Sequence, residues 1–338
     1  MIKNIISVFL TFFGYFFYLI SKITPKIFFQ SYVRCYCFSN GLISKILSFF
    51  VSFIRVRKQN KDDYLDNYNL NKNLNFNEIN KTLSKKGYYR IPYKLDKEIV
   101  EKIIKFSLET DCTYLDDKKK KFISRFNLNK MKNEYVSSKY SYDESALFNF
   151  KPIKDILFDT NFTLIAKNYF GVKPCYSNLA MWWSPPRSKK PTYLSEEANE
   201  SAQFFHFDLD RIKWLKLFIY LTDVDDQTGP HEYIQSSHKT FNKPKKILKK
   251  GYKRINEDEI RNYYEKDTIK RITGEKGTMF IGDTSCFHRG LPPLNKNRLI
   301  LVIEYSNSMF GSEYSKIEIK DNNIVNYKNN LIINHKIN

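Results

Sequence analysis

The chain has 338 residues, 42% hydrophobic and 16% aromatic, so it should fold, and one large domain with appendages is expected. Five cysteines, odd in number and without paired spacing, argue against a disulfide framework and a zinc site and suit a reducing compartment. The net charge of +20 comes with no nucleic-acid-binding motif, so no nucleic-acid partner is expected.

Part of that charge is concentrated at the start: residues 1–60 hold eight Lys and Arg and no Asp or Glu, beside the two most apolar runs of the chain. The first, "IISVFLTFFGYFFYLI" (Ile5 to Ile20), has 16 residues, short of the roughly 20 that span a bilayer comfortably. Its weakly polar Ser7, Thr11, Gly14 and Tyr18 recur at helical spacing and form one stripe. The second, "LISKILSFFVSFIRVRK" (Leu42 to Lys58), repeats the pattern with Ser44, Lys45, Ser48, Ser52 and Arg55. Both predict amphipathic helices. Residues 1–60 are therefore expected to associate with a membrane surface through Lys and Arg, the rest of the chain lying on the cytoplasmic side. The competing reading is a pair of helices packed on the domain's own surface. "YLISKITPK" lacks the small-residue pattern of a cleaved signal, and Cys35 and Cys37 read as ordinary thiols before acylation sites.

Residues 61–77, polar and Asn-rich, read as a linker, and residues 78–310 as the main domain. There a short helix ends near Gly87, "YYRIP" follows as a strand, and a helix starts at about Asp96. Residues 114–140 give no sharp reading; "DILFDTNFTLIAKNYFG" predicts a helix ending at Gly171. Short aromatic and β-branched runs then alternate with turns: "YSNLAMWW", "FFHFDLD", "WLKLFIYLTDV", "EYIQ", "GTMFIGD" and "RLILVIEYS". Strands at such short intervals predict a mainly β fold with flanking helices, a jelly roll with its core over about residues 172–307. Residues 311–338 read as a polar tail, and Ser184 to Gln203 as a loop able to cover a substrate. Of Trp182 and Trp183, at least one is expected in the core, because alternate residues face opposite sides.

In "HFD", His206 and Asp208 are two apart, so in a strand both point into one cavity while Phe207 turns away. An imidazole and a carboxylate bind a divalent transition metal, and one more histidine completes the two-His-one-carboxylate face of non-haem Fe(II) chemistry. His231 and His238 flank a turn-like segment too near the pair to face the same cavity. His288 follows a distant strand, and ten residues later Arg298 opens the last one. A guanidinium there suits a carboxylate-bearing co-substrate such as 2-oxoglutarate.

With "LSKKGYYRIPYKLDKEIVEKI", "WLKLFIYLTDVDDQTGPHEYIQSSHK" and "GEKGTMFIGDTSCFHRG", these features resemble the phytanoyl-CoA dioxygenase (PhyH) family of Fe(II)/2-oxoglutarate-dependent oxygenases, over roughly residues 78–307. The resemblance implies a double-stranded β-helix, a cupin-like jelly roll, with His206, Asp208 and His288 as metal ligands and Arg298 on the far carboxylate of 2-oxoglutarate. It implies Fe(II), 2-oxoglutarate and O2 as cofactor and co-substrates. The reaction implied is hydroxylation of an unactivated C–H bond in a small-molecule, lipid-linked or glycan-precursor substrate, with release of succinate and CO2. Asn178 and Tyr176 are candidates to help hold 2-oxoglutarate. Halogenating relatives have a small residue where this chain retains Asp208. Two departures avoid the ligands: Phe207 stands where the family often has Gln, and Ser236-Ser237-His238 where it usually has Gly-Ser-His. His238 reads as a turn cap. A non-catalytic jelly-roll module that binds a ligand, and a cupin-like metal isomerase or epimerase, remain as alternatives, with Arg298 the main feature against the second. Oligomeric state and substrate identity are not legible.

Overall fold

In the computed structural model, which describes residues 2–57, 74–116, 118–131, 134–186, 203–319, 331–333 and 336–337, local sequence signals set many of the element ends. Helices α1 (Ile2–Ser21) and α3 (Leu42–Arg57) follow their weakly polar stripes, and α2 (Lys26–Ser39) lies between them. The Asn75 side chain accepts a hydrogen bond from the Glu78 amide at 3.1 Å and starts α4 (Phe76–Lys86) inside the expected linker. Most of that linker, residues 58–73, lies outside the described residues. Strand β1 (Tyr88–Lys94) follows, then α5 (Lys97–Glu109), capped by Asp96 through the amides of Glu98 and Ile99. The stretch without a sharp sequence reading carries β2 (Asp111–Leu115), β3 (Lys121–Arg125) and β4 (Tyr140–Ser141). Then come α6 (Glu144–Asn149), α7 (Lys151–Leu157) and α8 (Thr160–Phe170). The single helix expected over the last two is broken at Asp159, whose carboxylate accepts from the Asn161 amide at 2.7 Å and caps a new one.

The strands that follow are β5 (Cys175–Ser184), β6 (Trp214–Tyr220), β7 (His231–Ile234), β8 (Ile269–Ile272), β9 (Thr278–Gly282), β10 (His288–Gly290) and β11 (Arg298–Ser306). Two short helices, α9 (Lys245–Lys249) and α10 (Glu257–Arg261), join β7 to β8. The large sheet runs β1-β9-β6-β11-β5-β4-β2-β3 and the small one β10-β7-β8. Alternation sorts the side chains: Leu217, Ile219, Leu301 and Ile303 pack against the helices. Phe218, Tyr220, Ile300 and Val302 point inward onto Tyr233 and Ile272 of the small sheet. The architecture is the expected double-stranded β-helix, a cupin-like jelly roll.

The N-terminal helices are built into this fold. Tyr32, Tyr36, Leu47 and Val51 are buried in one cluster with Phe205, Phe207 and Trp214. The Tyr32 hydroxyl donates to the Arg211 carbonyl at 3.0 Å, and the Tyr36 ring stacks on Phe207 at 5.7 Å. Lys243 is buried over the rings of Tyr36, Phe207 and Phe287 and donates to the Tyr36 hydroxyl at 3.0 Å and the Ser237 carbonyl at 2.6 Å. The C-terminal stretch also departs from the polar tail expected of it. Leu331 and Ile333 are buried in the helix-side core, and Lys336 donates to Glu144 at 2.8 Å; residues 320–330 lie outside the described residues.

Candidate active site

His206 and Asp208 sit in an extended segment and not in the regular strand expected for "FFHFDLD", because Phe205 and His206 alone form bridges there. Those bridges suffice to fix the pair. The His206 amide donates to the His288 carbonyl at 3.0 Å, the His288 amide returns the bond at 2.8 Å, and the Asp208 amide donates to Thr284 at 2.8 Å. Phe207 turns to the opposite side, onto Tyr36 and Phe287.

His206 Nε2 and His288 Nε2 each lie 3.6 Å from an Asp208 carboxylate oxygen, and all three residues are buried. The three ligand atoms lie within 4.8 Å of one another, too far apart for hydrogen bonding and close enough to share one ion. Each ring turns Nδ1 to a backbone carbonyl, His206 to Phe204 at 2.9 Å and His288 to Cys286 at 3.0 Å. Nδ1 therefore carries the proton, and Nε2 offers its lone pair to the centre. Two neutral imidazoles and one carboxylate are a donor set that fits a non-haem Fe(II) ion.

Lys216 of β6, which the sequence reading passed over, points into the same space. It donates to Asp208 Oδ2 at 2.7 Å and has Glu304 at 3.3 Å. Ser177 donates to Glu304 at 2.5 Å, and Arg211 Nε donates to the Ser177 hydroxyl at 2.9 Å. Burial disfavours the charged form of Asp208, but the Lys216 ammonium, with the two imidazoles once they are protonated, outweighs it and holds the carboxyl well below the usual range.

Burial lowers the pKa of His206, His231 and His288, and mutual repulsion with His288 adds to this for the first two. In metal-free protein the unfolded chain takes up protons on these rings below about pH 6.5 while the folded chain does not. Stability then falls with pH by about 1.4 kcal/mol per unit per histidine until each folded value is reached. Asp210, raised to about 6 chiefly by burial, opposes this, but its side chain is 39% exposed and the opposition is screened. Urea midpoints of metal-free protein are expected to be lower at about pH 5.5 than at about pH 7.5; equal midpoints would show that the rings are not buried neutral.

Arg298 opens β11 opposite Ser184. One guanidinium nitrogen donates to the Gly229 and Leu291 carbonyls, another to the Ser184 hydroxyl at 3.2 Å. Gly229 has φ +79°, and a Cβ there would lie 2.5 Å from the Leu291 carbonyl oxygen, so glycine is needed where this turn closes on the guanidinium. Burial lowers Arg298 to about 10, which leaves it charged at neutral pH. Among the described residues its Nε has no hydrogen-bond partner and no carboxylate pairs with it.

The sequence reading also missed His231. β7 pairs with β10, placing His231 opposite Gly290 and Tyr233 opposite His288. The His231 ring lies 5.6 Å from that of His288, and its Nε2 and the Tyr233 hydroxyl are buried without hydrogen-bond partners among the described residues. The alternation that selected His206 and Asp208 would have found this pair, because residues two apart in "HEY" share a face. Orphaned polar atoms beside a guanidinium whose Nε has no partner among the described residues form a cradle for a polar ligand.

Other expectations fall elsewhere. Tyr176 is corrected: it is buried in the helix-side core, and its hydroxyl donates to Glu144 at 2.6 Å, away from the triad. Asn178 is exposed at the irregularity opposite Glu304. Trp183 stacks on Phe126 in the helix-side core, whereas Trp182 packs against the cluster inside the sandwich. His238 bridges to the Ser84 carbonyl at 3.2 Å and to Cys286 Sγ at 3.3 Å. Of the loop expected to cover the substrate, residues 187–202 lie outside the described residues. A hollow of about 690 Å³ between α3 and α8, floored by Trp214 and Asp283, is lined by none of His206, Asp208, His288 or Arg298.

A jelly roll with two histidines and an aspartate converging in its interior has the donor set of a mononuclear non-haem metalloenzyme. The sequence matches the family described as phytanoyl-CoA dioxygenase (PhyH) over residues 84–298, and the chain belongs to that family. It is a non-haem Fe(II) oxygenase that uses 2-oxoglutarate and O2. Similar solved structures include HygX from Streptomyces hygroscopicus with nickel and 2-oxoglutarate bound, 13% identical with a TM-score of 0.47, covering 75% of this chain and 92% of that one. EctD from S. alaskensis in its apoform is 13% identical with a TM-score of 0.45, covering 72% and 79%. The non-heme alpha ketoglutarate dependent carbocyclase SnoK is 14% identical with a TM-score of 0.44, covering 70% and 84%. No curated protein matches the chain.

Proposed function

We propose that the chain hydroxylates an unactivated C–H bond of a small amphiphilic or lipid-linked substrate on the cytoplasmic side of a membrane. One observation carries the chemistry: two imidazoles and an aspartate converge inside the sandwich, in a fold that also buries an arginine without a carboxylate partner among the described residues. His206, Asp208 and His288 would hold Fe(II), and Arg298 would grip the far carboxylate of 2-oxoglutarate through parallel hydrogen bonds. Iron held there would, with 2-oxoglutarate and O2, supply the oxidising power for hydroxylation, with succinate and CO2 as the co-products.

The chain's own residues do the placing. The Phe204 and Cys286 carbonyls set the ring orientations, Lys216 steadies the Asp208 carboxylate, and His231 with Tyr233 offers polar atoms to the co-substrate. Phe218 and Phe280, stacked at 4.8 Å, help keep water from the interior. Retention of Asp208 favours hydroxylation over halogenation, because no space is left for a halide ligand at that position. All five cysteines are free, which suits the reducing cytoplasmic side.

Anaerobic titration of the full chain with Fe(II) and 2-oxoglutarate, read by the visible charge-transfer band, tests this reading. Wild type is expected to give the band and His206→Ala to abolish it. Arg298→Ala should raise the half-saturating 2-oxoglutarate concentration about 30-fold or more, the cost of removing one partner of a buried charge pair. Folded, iron-loaded wild type without the band would leave a metal isomerase or a binding module in its place.

A further inference from the structure

A helix packed on a protein in water buries its apolar stripe and shows its polar one. α1 does the reverse. Its buried residues are Ser7, Thr11, Gly14 and Tyr15. The Thr11 hydroxyl meets Cys35 Sγ at 3.3 Å, and a Cβ on Gly14 would lie 2.5 Å from the Phe28 Cβ, so the small residue lets α2 approach. On the opposite side Ile2, Phe9, Phe13, Phe16 and Ile20 are 50–87% exposed. α3 buries apolar Leu47 and Val51 in the ordinary way, but it too leaves a large apolar side chain outside, Phe49 at 74% exposure. The Phe16 and Phe50 rings meet at 6.2 Å and join the two outer faces.

Sixteen of the twenty-five exposed large hydrophobic side chains among the described residues lie between Ile2 and Phe53, so the apolar surface is concentrated in this layer. The same layer carries Lys3, Lys22, Lys26, Arg34 and Lys45 exposed, without any acid in residues 1–60.

We propose that this face docks on an anionic lipid bilayer, with α1 lying in the plane of the interface. Charge complementarity selects the bilayer: two copies of a cationic, acid-free face repel each other, whereas anionic head groups attract it. By length and composition α1, 20 residues long and with a mean hydropathy of 1.7 over its most apolar 18-residue stretch, would serve as a span. Its inner side is nevertheless fastened to α2, and Tyr15 and Tyr18 pack on Phe310 at 5.7 and 6.0 Å. Crossing would strip these contacts, while lying flat keeps them and covers only the outer stripe. The docking does not depend on the reaction proposed above.

Flotation of the full chain with phosphatidylcholine vesicles, with and without phosphatidylglycerol, is the test. Wild type is expected to float, more strongly with phosphatidylglycerol. Phe9→Asp combined with Phe49→Asp should lower the partition coefficient at least about tenfold, with an unchanged thermal midpoint and Fe(II)–2-oxoglutarate band. Failure of wild type to float, or equal flotation by the variant, overturns the proposal. So does a wild type that ignores vesicles but dimerises through this face, its variant being monomeric. Cysteines placed singly by Lys3→Cys and Lys22→Cys should both react with a membrane-impermeant maleimide from outside the vesicles; protection of only one would mean that α1 crosses.

Discussion

Removal of residues 2–57 is expected to abolish cooperative folding of the remainder. The truncation takes away Tyr32, Tyr36, Leu47 and Val51 and uncovers Phe205, Phe207 and Trp214, which they bury. At about 1.5–3 kcal/mol per large side chain, loss of the four buried groups alone amounts to about 6–12 kcal/mol, against a total stability of about 5–15 kcal/mol for an ordinary domain. Tyr36 also stacks on Phe207 and accepts a hydrogen bond from Lys243, so the truncated chain keeps a buried ammonium with one partner fewer. Because Phe207 lies between the ligands, loosening it disturbs both His206 and Asp208. Circular-dichroism melting of residues 74–338 is the measurement. A sharp transition like that of the full chain would mean that the helices merely rest on the domain. This expectation is also why the iron titration and the flotation assay both use the full chain.

The chemistry of the site was more legible than its surroundings. Two-residue alternation singles out His206 and Asp208 whether the segment is a full strand or a single bridge, because only local extension is needed. His231 obeys the same rule and was set aside on sequence distance alone, although antiparallel pairing brings nearby segments together as readily as distant ones. Tyr176 was misplaced because the β5–β11 register shifts between Glu304 and Tyr305 and turns it to the helix side; no residue in "CYSNLAMWW" marks that shift. Helices α1 and α3 were legible as helices, and their weakly polar stripes as stripes, whereas α2 was not read. Which side faced the protein was not, since that depends on α2, whose mixed aromatic, Ser and Cys sequence shows no clean period.

Lys216→Met is expected to cost metal-free protein about 3–5 kcal/mol, the usual effect of removing one partner from a buried charged cluster. In "WLKLFIY" the lysine shares a face with Phe218 and Tyr220, so alternation alone puts a cation inside the sandwich; its partners Asp208 and Glu304 come from other segments. Methionine keeps much of the aliphatic stem and deletes the ammonium, leaving two buried carboxylates without their shared cation. Urea denaturation of apo wild type and variant reads the loss. Fe(II) should then narrow the gap, because a dication held by His206, Asp208 and His288 takes over compensation of Asp208 even though Glu304 remains uncompensated. By linkage, every 1.4 kcal/mol of narrowing raises the apparent iron affinity of the folded variant about tenfold over wild type. A variant as stable as wild type without metal would show that the ammonium does not compensate Asp208. An equal loss with and without Fe(II) would place the ion's charge away from the Asp208 carboxylate. Lys216→Arg retains the charge and should recover part of the stability, which separates the loss of charge from the loss of shape.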